Sequence, residues 1–394
     1  MTGSDVRYSP LIDRIHSDGA DGWEVHAKAM AAVARGEEAI VLSVGDPDFD
    51  TPAPIVEHAV AALRAGDTHY SNIPGREHVR AAVAETMAAQ TGLDLSSRNV
   101  IISAGTQGAL LGASLCLLGA GDEVISLDPM YLTYEATLCV GGATMVRIGQ
   151  PASTGFRPDV AAIGAAITER TRAIAITTPN NPTGVVMTRG ELDGIAALAT
   201  AHNLWVIADE VYGGLVFDGE HVSIASLPGM AERTVTVSSL SKSHAMTGWR
   251  IGWAVGPETL IDHMDALQLN VNYGVPGFIQ EAAREALLTC DAESEAMRTA
   301  YRRRRDLAVD ILSAAPGLSV LVPEAGMYVL ADVSSLADSS RAFANDLFDA
   351  TNVSVLDAGA FGEAAQGWVR IGFMTSDEEL AEGCRRIVNF VNGL

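Results

Sequence analysis

From Asn99 to about Val255 the chain alternates short apolar runs with helical segments, and no other feature constrains its fold as strongly. The runs are Val100–Ser103, Glu123–Leu127, Thr144–Ile148, Ala173–Thr178, Leu204–Ala208, Thr234–Ser238 and Ile251–Val255. Their β-branched content and length mark them as buried strands. Gly108–Leu118 and Glu191–His202 are the clearest helices between them. This pattern predicts an α/β large domain on a seven-stranded, mostly parallel sheet, with ligands at the strand carboxyl ends. After about residue 280 the texture changes. A long helix over Ile279–Ala314, interrupted near Thr289–Asp291, leads to short strands around Met327–Val333, Val353–Leu356 and Trp368–Phe373. These predict a smaller α+β domain. Trp23–Arg35 reads as a helix and Ala39–Ser43 as a short strand. The expected division is an arm over 1–45 that joins the small domain, a large domain over 46–285 and a small domain over 286–394. A length of 394 residues suits two domains of unequal size.

Charge narrows the function. The net charge of −23 gives no support to phosphate-backbone binding, so no nucleic-acid partner is expected. The one basic run, Arg302 to Arg305, sits in a helical segment and reads as a solvated face. The four cysteines are far apart and no CxxC or HExxH spacing occurs, so neither a metal site nor a disulfide framework is expected. No apolar run has membrane length, and a cytoplasmic, soluble protein is the expectation.

Of the 26 Lys and Arg residues only Lys28 and Lys242 are lysines. Amine chemistry from a side chain, such as a Schiff base with a carbonyl cofactor, therefore has two candidates, because arginine stays protonated. Lys28 lies one helical turn after Glu24 and reads as its i,i+4 partner. Lys242 ends the Thr234–Ser238 strand inside Ser238-Ser239-Leu240-Ser241-Lys242.

Other strand ends carry complementary groups. Gly105-Thr106-Gln107 follows a strand and opens a helix, whose free amides favour an anion. Tyr131 follows the next strand, where a ring can stack on a planar ligand. Asn181, in Asn180-Asn181-Pro182-Thr183-Gly184, can donate to a phenolate oxygen that Tyr212 can share. Asp209 ends an apolar run, where a carboxylate is costly unless it meets a cation such as a pyridinium. Ser239 and Arg250 flank Lys242 and suit a phosphate dianion. Arg370, in Trp368-Val369-Arg370-Ile371, suits a carboxylate. Each residue has a bland reading as turn, core or surface. The set together describes pyridoxal 5'-phosphate.

On Gly45-Asp46-Pro47, Tyr70 with Gly75, Asn181-Pro182-Thr183-Gly184, Asp209-Glu210-Val211-Tyr212, Ser239-Leu240-Ser241-Lys242, Gly248-Trp249-Arg250-Ile251-Gly252 and Val369-Arg370-Ile371, the chain resembles fold-type I, class I/II aminotransferases from about Gly45 to Phe373. The resemblance implies pyridoxal phosphate on Lys242, with Asp209 and Tyr212 also catalytic. It implies a phosphate cup of Thr106, Gln107, Ser239 and Arg250, and Tyr131 over the ring. It implies Arg370 as the α-carboxylate anchor, helped by Asn181 and the backbone of Gly45. It further implies a homodimer in which Tyr70 reaches the partner's cofactor, and ping-pong exchange between an amino acid and a 2-oxo acid. Leu42–Val56, Glu220-His221-Val222-Ser223 and Ser239–Arg250 are similar to arginine–pyruvate aminotransferases, so arginine or a similar basic donor is expected, with pyruvate as acceptor. Trp23 and Glu24, on the arm, are then candidates for the guanidinium, Glu24 having the Lys28 pairing as its alternative. Aspartate, aromatic or neutral donors, β-lyase or oxidase chemistry on the same cofactor, and a non-enzymatic regulator remain the competing readings.

Overall fold

The structure is a computed structural model and describes residues 7–9, 11–15 and 22–394. Residues 1–6, 10 and 16–21 of the expected arm lie outside the described residues. The strands in chain order are β1 (Ile40–Val41), β2 (Val100–Ser103), β3 (Glu123–Asp128), β4 (Thr144–Gly149), β5 (Thr171–Thr177), β6 (Trp205–Asp209), β7 (Thr234–Ser239), β8 (Gly252–Val255), β9 (Ser319–Leu321), β10 (Tyr328–Asp332), β11 (Val353–Ser354), β12 (Leu356–Asp357) and β13 (Trp368–Gly372). Seven of them form the large sheet in the order β2-β8-β7-β6-β5-β3-β4. All its pairs are parallel except those of β8, which runs against both β2 and β7.

Both faces of this sheet are covered, which is why its strands read as unbroken apolar runs rather than alternating ones. Ala173, Ala175, Ile207 and Val235 pack on one side with the helix Gly105–Leu117. Ile174, Ile176, Val206 and Ala208 pack on the other with the helix Arg189–Ala201. That second helix begins with a reciprocal cap: Thr188 accepts from the Glu191 amide, and Glu191 accepts from the Thr188 amide.

The smaller unit holds the four-stranded sheet β12-β13-β10-β9, antiparallel throughout. The expected long helix is two helices, Gly277–Thr289 and Asp291–Leu312, parted at Cys290. The arm joins this unit. β1 pairs in parallel with β11, and Val25 and Ala29 of the helix Glu24–Ala34 share a core with Val329, Val369 and Phe343. The helices Tyr134–Cys139, Val160–Ala166 and Glu258–Val271 were not anticipated from the sequence.

The basic run departs from expectation. Arg302 and Arg303 are exposed, but Arg304 and Arg305 are buried. Arg304 bridges Asp48 at 2.8 Å and Asp377 at 3.1 Å while lying against the Phe49 and Tyr301 rings. Arg305 reaches Asp218 and the Pro323 carbonyl. A guanidinium tolerates burial when its fork is filled, so two of the four residues are internal ties and not a solvated face.

Candidate active site

The carboxyl ends of β5, β6 and β7 open onto a cavity of about 610 Å³. Lys242 enters it from the turn after β7, and its Nζ donates to the Gly45 carbonyl at 2.6 Å. Position 45 admits only glycine, since a Cβ there would stand 1.6 Å from the Tyr328 hydroxyl.

Asp209 ends β6 and is 7% exposed. The Tyr134 hydroxyl donates to its Oδ2 at 2.5 Å and the Val211 amide to its Oδ1 at 3.0 Å. Among the described residues no cation pairs with it. Burial, helped by the neighbouring Glu210 and opposed by those two donors, pushes its carboxyl up to about 6. A cationic ring nitrogen beside it would supply the missing partner.

Asn181 Nδ2 donates to the Tyr212 hydroxyl at 3.3 Å. Burial, with Tyr328 beside it, holds the Tyr212 phenol well above its ordinary value, so it stays a neutral donor. Thr106 lies in the first turn of the helix Gly105–Leu117, and its Oγ1 is buried without a partner. Gly105 has φ +74°, and a Cβ there would lie 2.6 Å from an Arg250 guanidinium nitrogen. Thr106, Ser239 and Arg250 thus line the same cavity, with Arg250 close to the first turn of that helix, an arrangement that suits an anion. The Gln107 side chain, expected in the anion cup, instead bonds Thr133 and Thr137.

Arg370, in β13, is 1% exposed. Its Nη1 donates to Asn181 Oδ1 and its Nη2 to the Ser43 carbonyl, both at 3.0 Å, while Nε has no partner. No carboxylate pairs with it among the described residues. A buried guanidinium without a counter-charge is costly and fits an incoming carboxylate.

Tyr131 and Trp23 line the cavity. Glu24 does not. It bonds Arg341 at 2.7 Å, and Lys28 donates to Asn345, so the expected Glu24–Lys28 pair is absent and Glu24 faces away from the site. The helix Ser340–Thr351 supplies both substitutes from outside the arm, a relation that sequence spacing does not carry. Tyr70 is 86% exposed and packs on Tyr273 at 4.8 Å, outside the cavity. A larger groove of about 750 Å³ shares the Tyr131 wall but contains none of Lys242, Asp209 and Arg370.

Sequence reading missed Tyr134, Ser43, Ser241 and Tyr328. Tyr328 had a findable signal. In the antiparallel pair β10–β13 Arg370 faces Leu330, so Tyr328 lies two residues along the same face. Tyr134 had none, since only the tertiary fold brings it to Asp209.

A single lysine, a buried unpaired carboxylate and an anion cup at the carboxyl edge of a seven-stranded sheet define a fold-type I pyridoxal-phosphate enzyme, and the orphaned Thr106 hydroxyl and Asp209 carboxylate fit that cofactor. The chain belongs to the aminotransferase class I and II family, whose profile matches residues 37–387. It is 50% identical over 382 residues to the arginine–pyruvate transaminase AruH of Pseudomonas aeruginosa, covering 97% of each chain. It is 37% identical to the aspartate/prephenate aminotransferase of Thermus thermophilus, covering 92% of this chain and 93% of that one. The solved Thermus thermophilus aspartate aminotransferase with maleate superposes with a TM-score of 0.92 at 35% identity, over 98% of this chain and 99% of that one. The protein is thus a pyridoxal-phosphate-dependent aminotransferase.

Proposed function

We propose that the enzyme moves the α-amino group of a basic amino acid, arginine first, to pyruvate or a similar 2-oxo acid by a ping-pong mechanism. The observation that carries the donor is the 50% identity to an arginine–pyruvate transaminase over nearly the whole chain, against 37% and 38% to relatives named for aspartate/prephenate and for aromatic amino acids.

Bound pyridoxal phosphate supplies an acceptor for the electrons of a broken Cα–H bond. Lys242 would hold the cofactor, and its Nζ would carry the Cα proton. Asp209 keeps the proton on the ring nitrogen. Tyr212 and Asn181 donate to the phenol oxygen. Thr106, Gln107, Ser239 and Arg250 hold the phosphate, and Tyr131 covers the ring. Arg370 takes the α-carboxylate with Asn181 and the Gly45 backbone. Trp23 is assigned to stack on the guanidinium plane of the donor.

The same reading makes the enzyme a cytoplasmic homodimer whose Tyr70 completes the partner's phosphate site. The exposure of Tyr70, away from its own cavity, supports this. It also divides the chain into an arm to residue 45, a large unit over 46–285 and a small unit over 286–394. No helix among the described residues is long and apolar enough to cross a membrane.

A donor screen with pyruvate and with 2-oxoglutarate tests the function. Arginine with pyruvate is expected to give the highest kcat/KM. Equal activity on arginine and aspartate would overturn the basic-donor assignment.

A further inference from the structure

One buried acid beside the site has no part in the chemistry above. Glu210 follows Asp209 and is 6% exposed. Neighbouring residues of an extended chain point to opposite sides. Asp209 therefore faces the cavity that holds Lys242, and Glu210 faces a second cavity of about 590 Å³ behind the Lys242 turn. Val211 and Ser239 border both spaces.

Two residues from one short segment hold the Glu210 carboxylate. Ser223 Oγ donates to Oε1 at 2.7 Å, and His221 Nε2 lies 3.1 Å from Oε2. The imidazole sits against the turn itself, since a Cβ on Gly213 would be 3.0 Å from His221 Cδ2. The backbone between the two acids is fixed as well. The Thr178 amide donates to the Asp209 carbonyl at 3.1 Å, and the Glu210 amide to the Val237 carbonyl at 3.0 Å. Any swing of the Glu210 side chain therefore loads a short, stiff piece of chain whose other side carries Asp209.

Charge couples the two acids in addition. Burial and then the adjacent Glu210 disfavour the ionised form of Asp209, while Tyr134 and the Val211 amide favour it. The His221 and Ser223 contacts keep the Glu210 carboxylate on the reverse side of the turn, and so hold its charge away from Asp209.

We propose that His221 and Ser223 are positioning residues for transamination: by holding the Glu210 carboxylate on the reverse side of the turn, they keep Asp209 aimed and ionised for the ring nitrogen of pyridoxal phosphate. The proposal rests on the assignment of Asp209 as the ring-nitrogen partner.

The test is a cycle of His221→Ala, Glu210→Gln and the double variant, with Asp209→Asn beside it. Each apoprotein is titrated with pyridoxal phosphate by tryptophan fluorescence, and kcat and KM are measured after loading. His221→Ala should weaken cofactor affinity and lower kcat by about tenfold each, with the KM of the amino donor within about twofold of the parent. Adding Glu210→Gln should restore most of both losses, because the charge that His221 occupied is gone. Cofactor affinity and kcat of His221→Ala within twofold of the parent would overturn the proposal. So would a double variant no better than His221→Ala. If His221→Ala does not fold, the double variant should fold, and its failure to do so overturns the proposal equally. Near-normal turnover of Asp209→Asn would instead remove the Asp209 assignment, which separates that failure from this one.

Discussion

The Arg370 guanidinium lies 3.9 Å from the centre of the Tyr328 ring, buried and without a carboxylate partner among the described residues. The Tyr328 ring lies against the guanidinium, Asn181 and Ser43 each accept from one of its nitrogens, Nε has no partner, and Arg370 lines the cavity. Arg370→Lys loses both the fork and the stacking. KM should rise by about tenfold or more for the amino donor and for the 2-oxo acid alike, since both carry the same carboxylate. Cofactor affinity should change little. An unchanged KM for either substrate in steady-state kinetics would place carboxylate binding elsewhere.

Lys242 is the lysine of the cavity, whereas Lys28 is tied to Asn345 on the arm. Borohydride reduction of the loaded enzyme followed by peptide mapping should place the pyridoxyl group on Lys242. Label on Lys28 would contradict the site.

Asp209→Asn should retain the cofactor and lose about a hundredfold or more in kcat, because it keeps the shape and removes the charge that holds the ring proton. Stability offers an independent check. The native Asp209 carboxyl is pushed up to about 6, above its ordinary value. The native apoprotein therefore binds more protons than the unfolded chain between about pH 4 and 6, and it loses stability relative to the variant as pH rises through that window. The melting temperature of Asp209→Asn apoprotein minus that of the parent should grow from pH 4.5 to 7.5, corresponding to on the order of 2–3 kcal/mol. A flat difference would mean that Asp209 already has a cationic partner in the apoprotein.

The parts of this site that lie at strand ends were legible in the sequence, because a strand that is apolar along its length announces where it stops. Asp209, Lys242 and Asn181 were read that way, and the fold brings all three to one cavity. Arg370 was read as a carboxylate partner from its residue type, and only the resemblance chose that over a solvated strand face, since one arginine in an apolar strand does not say which face it takes. The misread residues share a cause. Arg304, Glu24 and Lys28 were assigned partners, or solvent, from helical spacing, and each is instead bonded to a residue distant in the chain. Tyr134 reaches Asp209 across 75 positions, a separation that no local pattern encodes.

Tyr70 makes a prediction about assembly. If it serves the partner's phosphate site, Tyr70→Ala and Lys242→Ala homodimers should each be nearly inactive for different reasons. Mixing them under conditions of subunit exchange should restore activity toward about a quarter of the parent, since half of the dimers are hybrids with one intact site. No recovery in a pool shown by native mass spectrometry to contain hybrids would mean that Tyr70 acts within its own chain.

The arm separates its two candidates. Glu24→Gln breaks an exposed pair with Arg341 and should leave kcat/KM for arginine and for methionine within about twofold. Trp23→Ala removes a cavity wall and should lower kcat/KM for arginine by about tenfold while sparing methionine. Parallel losses on both donors would reduce Trp23 to a general lid.

Strand β8 runs against its neighbours, and Ser239 of β7 faces Gly252 of β8 in register. Had β8 been parallel, its approach would begin at the far rim of the sheet, and Arg250 would stand a full strand length from Lys242. The reversal makes the chain between Lys242 and Arg250 a caliper of fixed span. One jaw is the lysine and the other is the guanidinium beside the helix that starts at Gly105. If Lys242 and Arg250 hold the two ends of the cofactor as proposed, deletions or insertions between the two residues should be far less tolerated than substitutions there.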